Sequence, residues 1–243
     1  MSHSNRVNHQ AIFVLSSSAW RENSLRLEAF SHQYGRIALL ARSARTRGSE
    51  LRGILVPFVP ISASWYGKEE LKTLHRAEWI GGWAQPKNRT LFSALYLNEL
   101  LLKSTAREDP NPELYDYFYQ TQRALALSEQ PIMALRLFEW KLLHLLGHAP
   151  DLEWDEHGQA VCAEQHYLVR PEYALLPFSE TQSPPSNGIV VSGSLLQELH
   201  SGCLKPHNLT AILSLTRLLI DHHIPEGIKS RQILQQLNQF KAR

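Results

Sequence analysis

The chain of 243 residues lacks the features that define several large classes of protein. Its two cysteines, Cys162 and Cys203, are far apart in sequence, which excludes a disulfide framework and fits a reducing compartment. No apolar run approaches the roughly 18 residues of a membrane span, and the first ten residues are polar, unlike a secretory signal. We therefore expect a cytoplasmic protein with no membrane partner.

The sequence also lacks the short motifs that mark common catalytic and nucleotide-binding sites. It has no GxxxxGK[ST] phosphate loop, no GxGxxG after a strand, no HExxH and no GxSxG. Catalysis would need scattered residues that spacing does not reveal. We expect a protein that is not an enzyme and needs no cofactor, with a metal-dependent nuclease as an open alternative.

Charge is distributed unevenly along the chain. The net charge is +2, but residues 1–80 hold eleven Lys and Arg against six Asp and Glu, a balance of +5. Residues 81–243 have a balance of −3. This asymmetry predicts an anion-binding N-terminal module attached to a body of a different kind.

The first 80 residues have the period of β-strands. Five segments show it: residues 11–15, 24–30, 36–41, 54–65 and 71–80. Pro57 and Pro60 demote the fourth segment to an edge or bulged strand. Five short strands indicate a small barrel or sandwich, a set that includes the five-stranded OB-fold. Gly81 and Gly82 mark a break, so we place a first domain at residues 1–82.

Residues 83–243 change to a helical period. The predicted helices are residues 90–103, 113–127 (after the cap Asn111 and Pro112), 128–146 (with Ser128 as cap), 194–200, 208–223 and 230–241. Between them, residues 151–191 are rich in proline and predict an irregular insert with short strands. The sequence thus predicts an α+β protein in which a β module precedes a mostly helical domain.

Arginines concentrate between the third and fourth strand segments. The candidate cations are Arg36, Arg42, Arg45, Arg47 and Arg52, with Lys72 nearby. Guanidinium groups on such a segment suit contact with phosphate without selection of bases, whereas a solvated charged loop is the simpler alternative. Trp20, Phe58, Trp65 and Tyr66 lie in the same module and could stack on bases, although such residues more often belong to a core.

Two further features invite a binding role. Among twelve histidines, His144 and His148 are four residues apart, and Cys162 and His166 share that spacing, but pairs without further ligands predict no metal site. Arg136 lies off the apolar stripe of its helix. It is either one half of a surface pair with Glu139, three residues on, or a cation beside an apolar groove that takes a carboxylate from a partner.

Three stretches of the chain resemble the RecO family of bacterial recombination mediators. The first, from Ala11 to Pro60, includes SLRLEAFSHQYGRIALLARSARTRGSELRGILVPFVP. The second is Tyr96 to Leu101, similar to a Y-x-N-E-L-L helix. The third is Ala134-Leu135-Arg136 with Phe138-Glu139, similar to an A-L-R-x-F-E helix, and Lys229-Ser230-Arg231 is a fainter likeness.

The resemblance implies an N-terminal OB-fold followed by a mostly helical domain. It implies a mediator of DNA repair and recombination that binds single- and double-stranded DNA and anneals complementary strands. With RecR, such a protein helps RecA load onto DNA coated with single-stranded-DNA-binding protein (SSB), close to the nucleoid. By position, the Arg-rich segment becomes the DNA-binding candidate and Arg136 becomes a candidate partner for the acidic, apolar C-terminal tail of SSB.

One departure from the family pattern concerns metal. Many relatives carry a four-cysteine zinc module in the insert, but residues 151–177 keep only Cys162, with His157 and His166 nearby. We therefore expect a zinc-less insert. The main alternative function is a non-enzymatic adaptor whose OB-like module binds protein instead of nucleic acid.

Overall fold

The computed structural model describes residues 6–179, 185 and 187–241. The chain forms two compact units: the first combines residues 1–129 with 228–243, and the second comprises residues 130–227. The predicted boundary between residues 82 and 83 falls inside the first unit, where the β-rich segment gives way to helices. It stays a prediction about how the chain is organised.

The first unit opens with five strands that close into one barrel. They are β1 (Arg6–Trp20), β2 (Ser24–Ser31), β3 (Gly35–Ala41), β4 (Pro60–Tyr66) and β5 (Leu71–Trp79). Around the barrel the order is β1, β2, β3, β5, β4 and back to β1. Strands β3 and β5 pair in parallel, and the other neighbours pair antiparallel. This is the arrangement of an OB-fold, so the predicted fold class is confirmed.

Two predicted strands differ from the observed ones. Strand β1 is three times longer than the apolar run that predicts it, because it pairs with β4 at its start and with β2 at its end, with a bulge in each ladder. Of the predicted segment 54–65, only residues 60–65 lie in strand β4, and residue 54 ends a short helix, α1 (Leu51–Ile54). Pro57 falls outside β4 and Pro60 opens it, since proline cannot donate a ladder hydrogen bond.

Alternate residues of the strands fill the barrel. In β2, Leu27 and Ala29 are fully buried on the barrel side, and Arg26 and Glu28 on the other face are partly exposed, as the alternation predicts. The interior also contains Ile12, Ile37, Leu39 and Ile61. Trp65 belongs to the same cluster, and its ring meets Tyr34 edge-on at 5.3 Å. This closed core fixes the loops that leave the ends of the strands.

Three helices complete the first unit: α2 (Arg89–Ser104), α3 (Pro112–Leu127) and, from the end of the chain, α7 (Lys229–Lys241). The predicted start of α3 is confirmed, since the side chain of Asn111 accepts a hydrogen bond from the Leu114 amide at 3.0 Å. An aromatic contact joins α3 to the barrel, where the Phe13 and Phe118 rings meet edge-on at 5.1 Å. The helices of this unit therefore share one core with the strands.

Helix α2 also positions helix α7. The Glu99 carboxylate accepts hydrogen bonds from the backbone amides of Lys229 and Ser230, both at 2.8 Å. Arg231 lies over the Tyr96 ring at 5.7 Å. Asn98, from the same turn of α2, donates to the Leu15 carbonyl at 3.0 Å and so ties the helix to β1. The Y-x-N-E segment thus has a structural role, and its Tyr96 and Glu99 contact residues 229–231.

The second unit packs helices around a small sheet. Its elements are α4 (Pro131–Leu145), β6 (His166–Val169), β7 (Leu176–Phe178), β8 (Ile189–Ser192), α5 (Gly193–Ser201), a 3-10 turn (Pro206–Asn208) and α6 (Leu209–His223). The sheet order is β7-β6-β8. The predicted cap Ser128 is wrong: its amide closes α3 by donating to the Ala124 carbonyl at 2.8 Å, and α4 begins at Pro131 instead.

No helix in the described part of the chain combines the length and the apolar character needed to cross a membrane.

Candidate nucleic-acid interface

Loop ends from several strands meet at one end of the barrel. Because β3 and β5 run parallel and their neighbours antiparallel, β1, β3 and β5 all end where β2 and β4 begin. The turn of residues 21–23, the loop of residues 42–50, helix α1 and Trp79 therefore project from the same end of the barrel. We call residues 42–50 the arginine loop.

The arginine loop is anchored to the turn between β1 and β2. The Arg45 amide donates to the Asn23 carbonyl at 2.9 Å. The Arg45 guanidinium donates through Nη1 to the carbonyls of Arg21 and Glu22, at 3.3 and 3.1 Å. The backbone of the loop is thus held in place, and the guanidinium of Arg45 is partly used to hold it.

Three arginines of this end have head groups free for a ligand. Arg42 and Arg47, from the arginine loop, are exposed, and so is Arg21 in the adjoining turn. Among residues 6–179, 185 and 187–241, no carboxylate forms an ion pair with any of the three. Sequence reasoning missed Arg21 because Glu22 follows it directly, and only the hydrogen bonds of Arg45 show that its turn adjoins the arginine loop.

Arg36 lies apart from this group. It is in β3, and its side chain is only 14% exposed. Its Nη1 donates to Glu28 at 2.9 Å, and its Nε and Nη2 donate to the Thr105 carbonyl at 3.2 and 2.7 Å. Arg107 pairs with the same Glu28 carboxylate, which raises the pKa of Arg107. The guanidinium of Arg36 therefore links the barrel to the segment after α2, and a contact between it and DNA stays a prediction.

Lys72 is also engaged within the first unit. It lies in β5, its ammonium forms an ion pair with Glu108, and it donates to the Glu69 carbonyl at 3.3 Å. Contact with DNA through Lys72 therefore stays a prediction that would require this pair to open.

Arg52 continues the basic surface. It is exposed on α1, and within the described residues no carboxylate pairs with it. The next residue, Gly53, accepts a hydrogen bond at its carbonyl from the Trp79 indole, at 3.2 Å. An exposed aromatic ring and a free guanidinium thus lie on neighbouring positions of one barrel end.

The aromatic residues named from the sequence differ in exposure. Phe58 and Trp65 are buried and belong to the core, the simpler of the two alternatives. Trp20 is half-buried at the end of β1. Tyr66 is exposed, but it ends β4 and so lies at the opposite end of the barrel from the arginine loop. Sequence reasoning did not single out Trp79, because its alternation with buried Ala77 places it on the core face.

Arg136 is in the second unit, and the expected surface location is wrong. The predicted pair with Glu139 exists, with Nη1 of Arg136 at 2.7 Å from Oε2 of Glu139, but the side chains are only 9% and 1% exposed. Glu139 also accepts a hydrogen bond from the Thr216 hydroxyl at 2.7 Å. Nε of Arg136 is buried and makes no hydrogen bond to any described residue. Helix α6, which carries Thr216, covers this side of α4.

The insert contains no cluster of ligands for a metal ion within its described residues. Nowhere in the described chain do three His, Cys, Asp or Glu side chains come together as a metal site would need. Cys162 donates its thiol to Glu164 at 3.0 Å. The Tyr167 hydroxyl, fully buried, accepts from the Cys162 amide at 2.8 Å and donates to Gln165 at 2.9 Å. Hydrogen bonds of this kind organise the segment.

Two family models match the chain. The model described as Recombination protein O N terminal matches residues 3–83, and the model described as Recombination protein O C terminal matches residues 88–232. The chain is also similar to proteins described as DNA repair protein RecO. The one from Neisseria meningitidis is 56% identical over 238 residues, which cover 97% of this chain and 90% of the relative.

More distant relatives match over the same extent. The protein from Neisseria gonorrhoeae is 55% identical over 238 residues, covering 97% of this chain and 96% of the relative. The protein from Chromobacterium violaceum is 39% identical over 242 residues, covering 97% of each chain. The likeness therefore includes both compact units.

Proposed function

This chain belongs to the recombination protein O (RecO) family, whose members act in DNA repair, and from that premise we propose that it binds DNA through the arginines at one end of its barrel. The observation that carries the proposal is the set of exposed arginines without internal partners, Arg21, Arg42 and Arg47, on two adjoining loops. Arg45 and Arg52 extend this surface. Contact with phosphates alone would allow both single- and double-stranded DNA to bind.

Strand annealing follows from this surface without a catalytic group. Neutralising phosphate charge on two complementary strands lowers their repulsion and holds them close together. We therefore propose a non-enzymatic mediator, which with RecR helps RecA load onto SSB-coated DNA. An annealing assay with complementary strands coated by SSB tests this role directly, and a failure to anneal faster than uncatalysed strands would contradict it.

Charge reversal tests the surface. We expect the triple variant Arg21→Glu, Arg42→Glu and Arg47→Glu to lose most of its affinity for DNA. The slope of log affinity against log salt should fall in magnitude by up to about three. Arg45 is left unchanged because it holds the loop. The matched control reverses three other exposed arginines, Arg89, Arg123 and Arg217, and should bind DNA nearly as the unaltered chain does.

The outcomes separate the proposal from its main alternative. Equal loss of affinity in both triple variants would show that only the total charge matters. An unaltered chain that is not retained on single-stranded DNA at physiological salt would instead favour an adaptor whose barrel binds protein. DNA turnover that stops with a chelator would favour a nuclease.

The proposed contact with the SSB tail involves Arg136. Its support is the A-L-R-x-F-E segment and the buried Nε that makes no hydrogen bond to a described residue. Because Glu139 already neutralises the guanidinium, a tail carboxylate would have to share Arg136 with it. Fluorescence anisotropy with a labelled tail peptide measures this binding.

A further inference from the structure

Trp79 is a large aromatic side chain left in water at the end of β5. Its residue is 46% exposed, and the next residue, Ile80, is 48% exposed. The indole N–H donates to the Gly53 carbonyl, so the polar edge of the ring is used against α1. The exposed part is therefore apolar ring surface, held in one orientation by a hydrogen bond.

The segment that accepts the indole hydrogen bond of Trp79 carries an arginine. Arg52 directly precedes the residue that accepts the indole hydrogen bond, it is exposed, and no carboxylate in the described part of the chain pairs with it. The arginine loop projects from the same end of the barrel, because β3 and β5 run parallel and end together. An apolar ring at the same end of the barrel as free guanidinium groups suits a ligand that has a flat aromatic face and a negative backbone.

We infer that Trp79 stacks on an unpaired base of single-stranded DNA, while Arg52 and the arginine loop hold the phosphates on either side. This inference rests on the proposed DNA binding and adds a site for the base. In a duplex each base face is covered by its neighbours, and exposing one costs a few kcal/mol. Trp79 therefore favours single strands, whereas the arginines alone do not distinguish the two forms.

Substitutions at Trp79 test the inference. We expect Trp79→Ala and Trp79→Leu to weaken binding of an oligo-dT strand about 5- to 150-fold, the range for one lost base–aromatic stack. Trp79→Phe keeps an aromatic face and should lose less than about fivefold. For all three variants, affinity for a duplex of equal length should stay within about twofold of that of the unaltered chain. The slope of log affinity against log salt should stay unchanged.

Two controls sharpen the test. Tyr66→Ala removes an exposed aromatic ring from the other end of the same barrel, and it should bind oligo-dT as the unaltered chain does. An oligonucleotide with abasic positions should bind the unaltered chain more weakly than oligo-dT, but should bind Trp79→Ala about as oligo-dT does. Thermal unfolding of each variant checks that the fold is kept.

Three results would overturn the inference. Trp79→Ala could bind oligo-dT as tightly as the unaltered chain, or it could weaken oligo-dT and duplex equally, which would mean that the indole only supports α1. If the unaltered chain binds neither form of DNA, the proposed function fails with it. If the unaltered chain binds DNA and only the Trp79 effect is missing, the proposed function stands without this site.

Discussion

Gly35, the first residue of β3, has no room for a side chain. It directly follows the turn from β2 and has a φ of +62°, and a Cβ added there would collide with the Asp109 carbonyl oxygen. Both the left-handed backbone and the close approach require glycine. A glycine between two strand patterns predicts the turn, but the approach of Asp109, distant in sequence, is not visible in the sequence.

Replacing this glycine should destabilise the first unit. We expect Gly35→Ala to lower the free energy of unfolding by about 2 kcal/mol or more, because the strained backbone adds to the clash with Asp109. Urea unfolding followed by far-UV circular dichroism measures it. Gly48→Ala is the control, since an added Cβ at Gly48 meets no atom within 4 Å. Equal stabilities for the two variants would contradict the account.

The Arg136–Glu139 pair shows which part of a site the sequence can predict. The spacing of three residues on a helix predicts the pair, and the structure contains it. Burial of the pair depends on α6, which supplies Thr216 from 77 residues further along the chain. The periodicity of α4 alone does not predict that α6 packs over this pair.

Breaking this pair on one side should cost stability. We expect Arg136→Ala to lower the free energy of unfolding by about 3–5 kcal/mol, because it leaves the Glu139 carboxylate buried without a counter-charge. The double variant Arg136→Met with Glu139→Met removes both charges and should recover most of that loss. Thermal unfolding of the two variants measures the difference.

The same two variants separate fold from partner binding. A double variant that is stable but does not bind the SSB-tail peptide would support a direct contact through Arg136. A stable double variant that binds the peptide normally would contradict it.

At the scale of elements, one carboxylate of α2 caps the start of helix α7. Glu99 accepts both amides that open α7, where a negative charge also meets the positive end of the helix. Burial acts to raise the pKa of Glu99, but the hydrogen bonds from Ser230 and Lys229 outweigh it and hold the pKa below its ordinary value. The charged form therefore prevails at neutral pH.

Removing that charge should loosen α7 while the barrel stays folded. We expect Glu99→Gln to cost about 1 kcal/mol, since an amide keeps one acceptor and loses the charge. Hydrogen exchange of the amides of α7 should quicken about fivefold relative to those of α3. Glu129→Gln, at an exposed position, is the control. Unchanged exchange in α7 would show that Glu99 does not hold it.

The elements that the sequence predicts least well are those that depend on partners far along the chain. Strands β2, β3 and β5 follow their alternation to within a residue or two. Strand β1 extends beyond its apolar run because two different strands pair with it, and α4 starts late because Pro131 is suited to a first helical turn. The pattern of apolar residues predicts which residues are buried, whereas the ends of β1 and α4 are determined by backbone hydrogen bonding.

For the whole molecule, stability should depend on pH through histidines of the second unit. His223 stacks on His148 with ring centroids 3.9 Å apart, and His222 is 5.0 Å away. Burial, then the charges of His148 and His222, lower the pKa of His223, against opposing contributions from a backbone hydrogen bond with His148 and from the charge of Glu172. His148, His223, Glu172 and Asp151 line one cavity of about 320 Å³. His222 forms an ion pair with Glu172.

The sign of the effect follows from that lowered pKa. Because the unfolded chain takes up the His223 proton first as pH falls, stability is full above about pH 6.5 and is lost as pH drops through the pKa of the folded state. We expect the melting temperature to decline between pH 7.5 and 5, and His223→Phe, which keeps a stacking ring, to decline less. His207→Gln, at an exposed site, should decline as the unaltered chain does. Parallel curves for all three would contradict this role.

Charge along the chain anticipates where the candidate interface lies, but only in part. The balance of +5 in residues 1–80 and the cluster between strands predict the arginine loop. Whether an arginine is free or engaged is decided by residues from elsewhere: Glu28, Thr105 and Glu108 occupy Arg36 and Lys72. For the same reason Arg21 and Trp79 join the candidate surface without any local signal in the sequence.

The hydrogen bonds between Glu99 and the start of α7 have a consequence for the nascent chain. Glu99 is 130 residues ahead of Lys229, so at about 5–20 residues per second roughly 7–26 s pass between the synthesis of the two. During that interval the second unit is translated, and the side of α2 that contacts α7 has no partner. A truncation before Lys229 would leave that face of α2 without its partner helix.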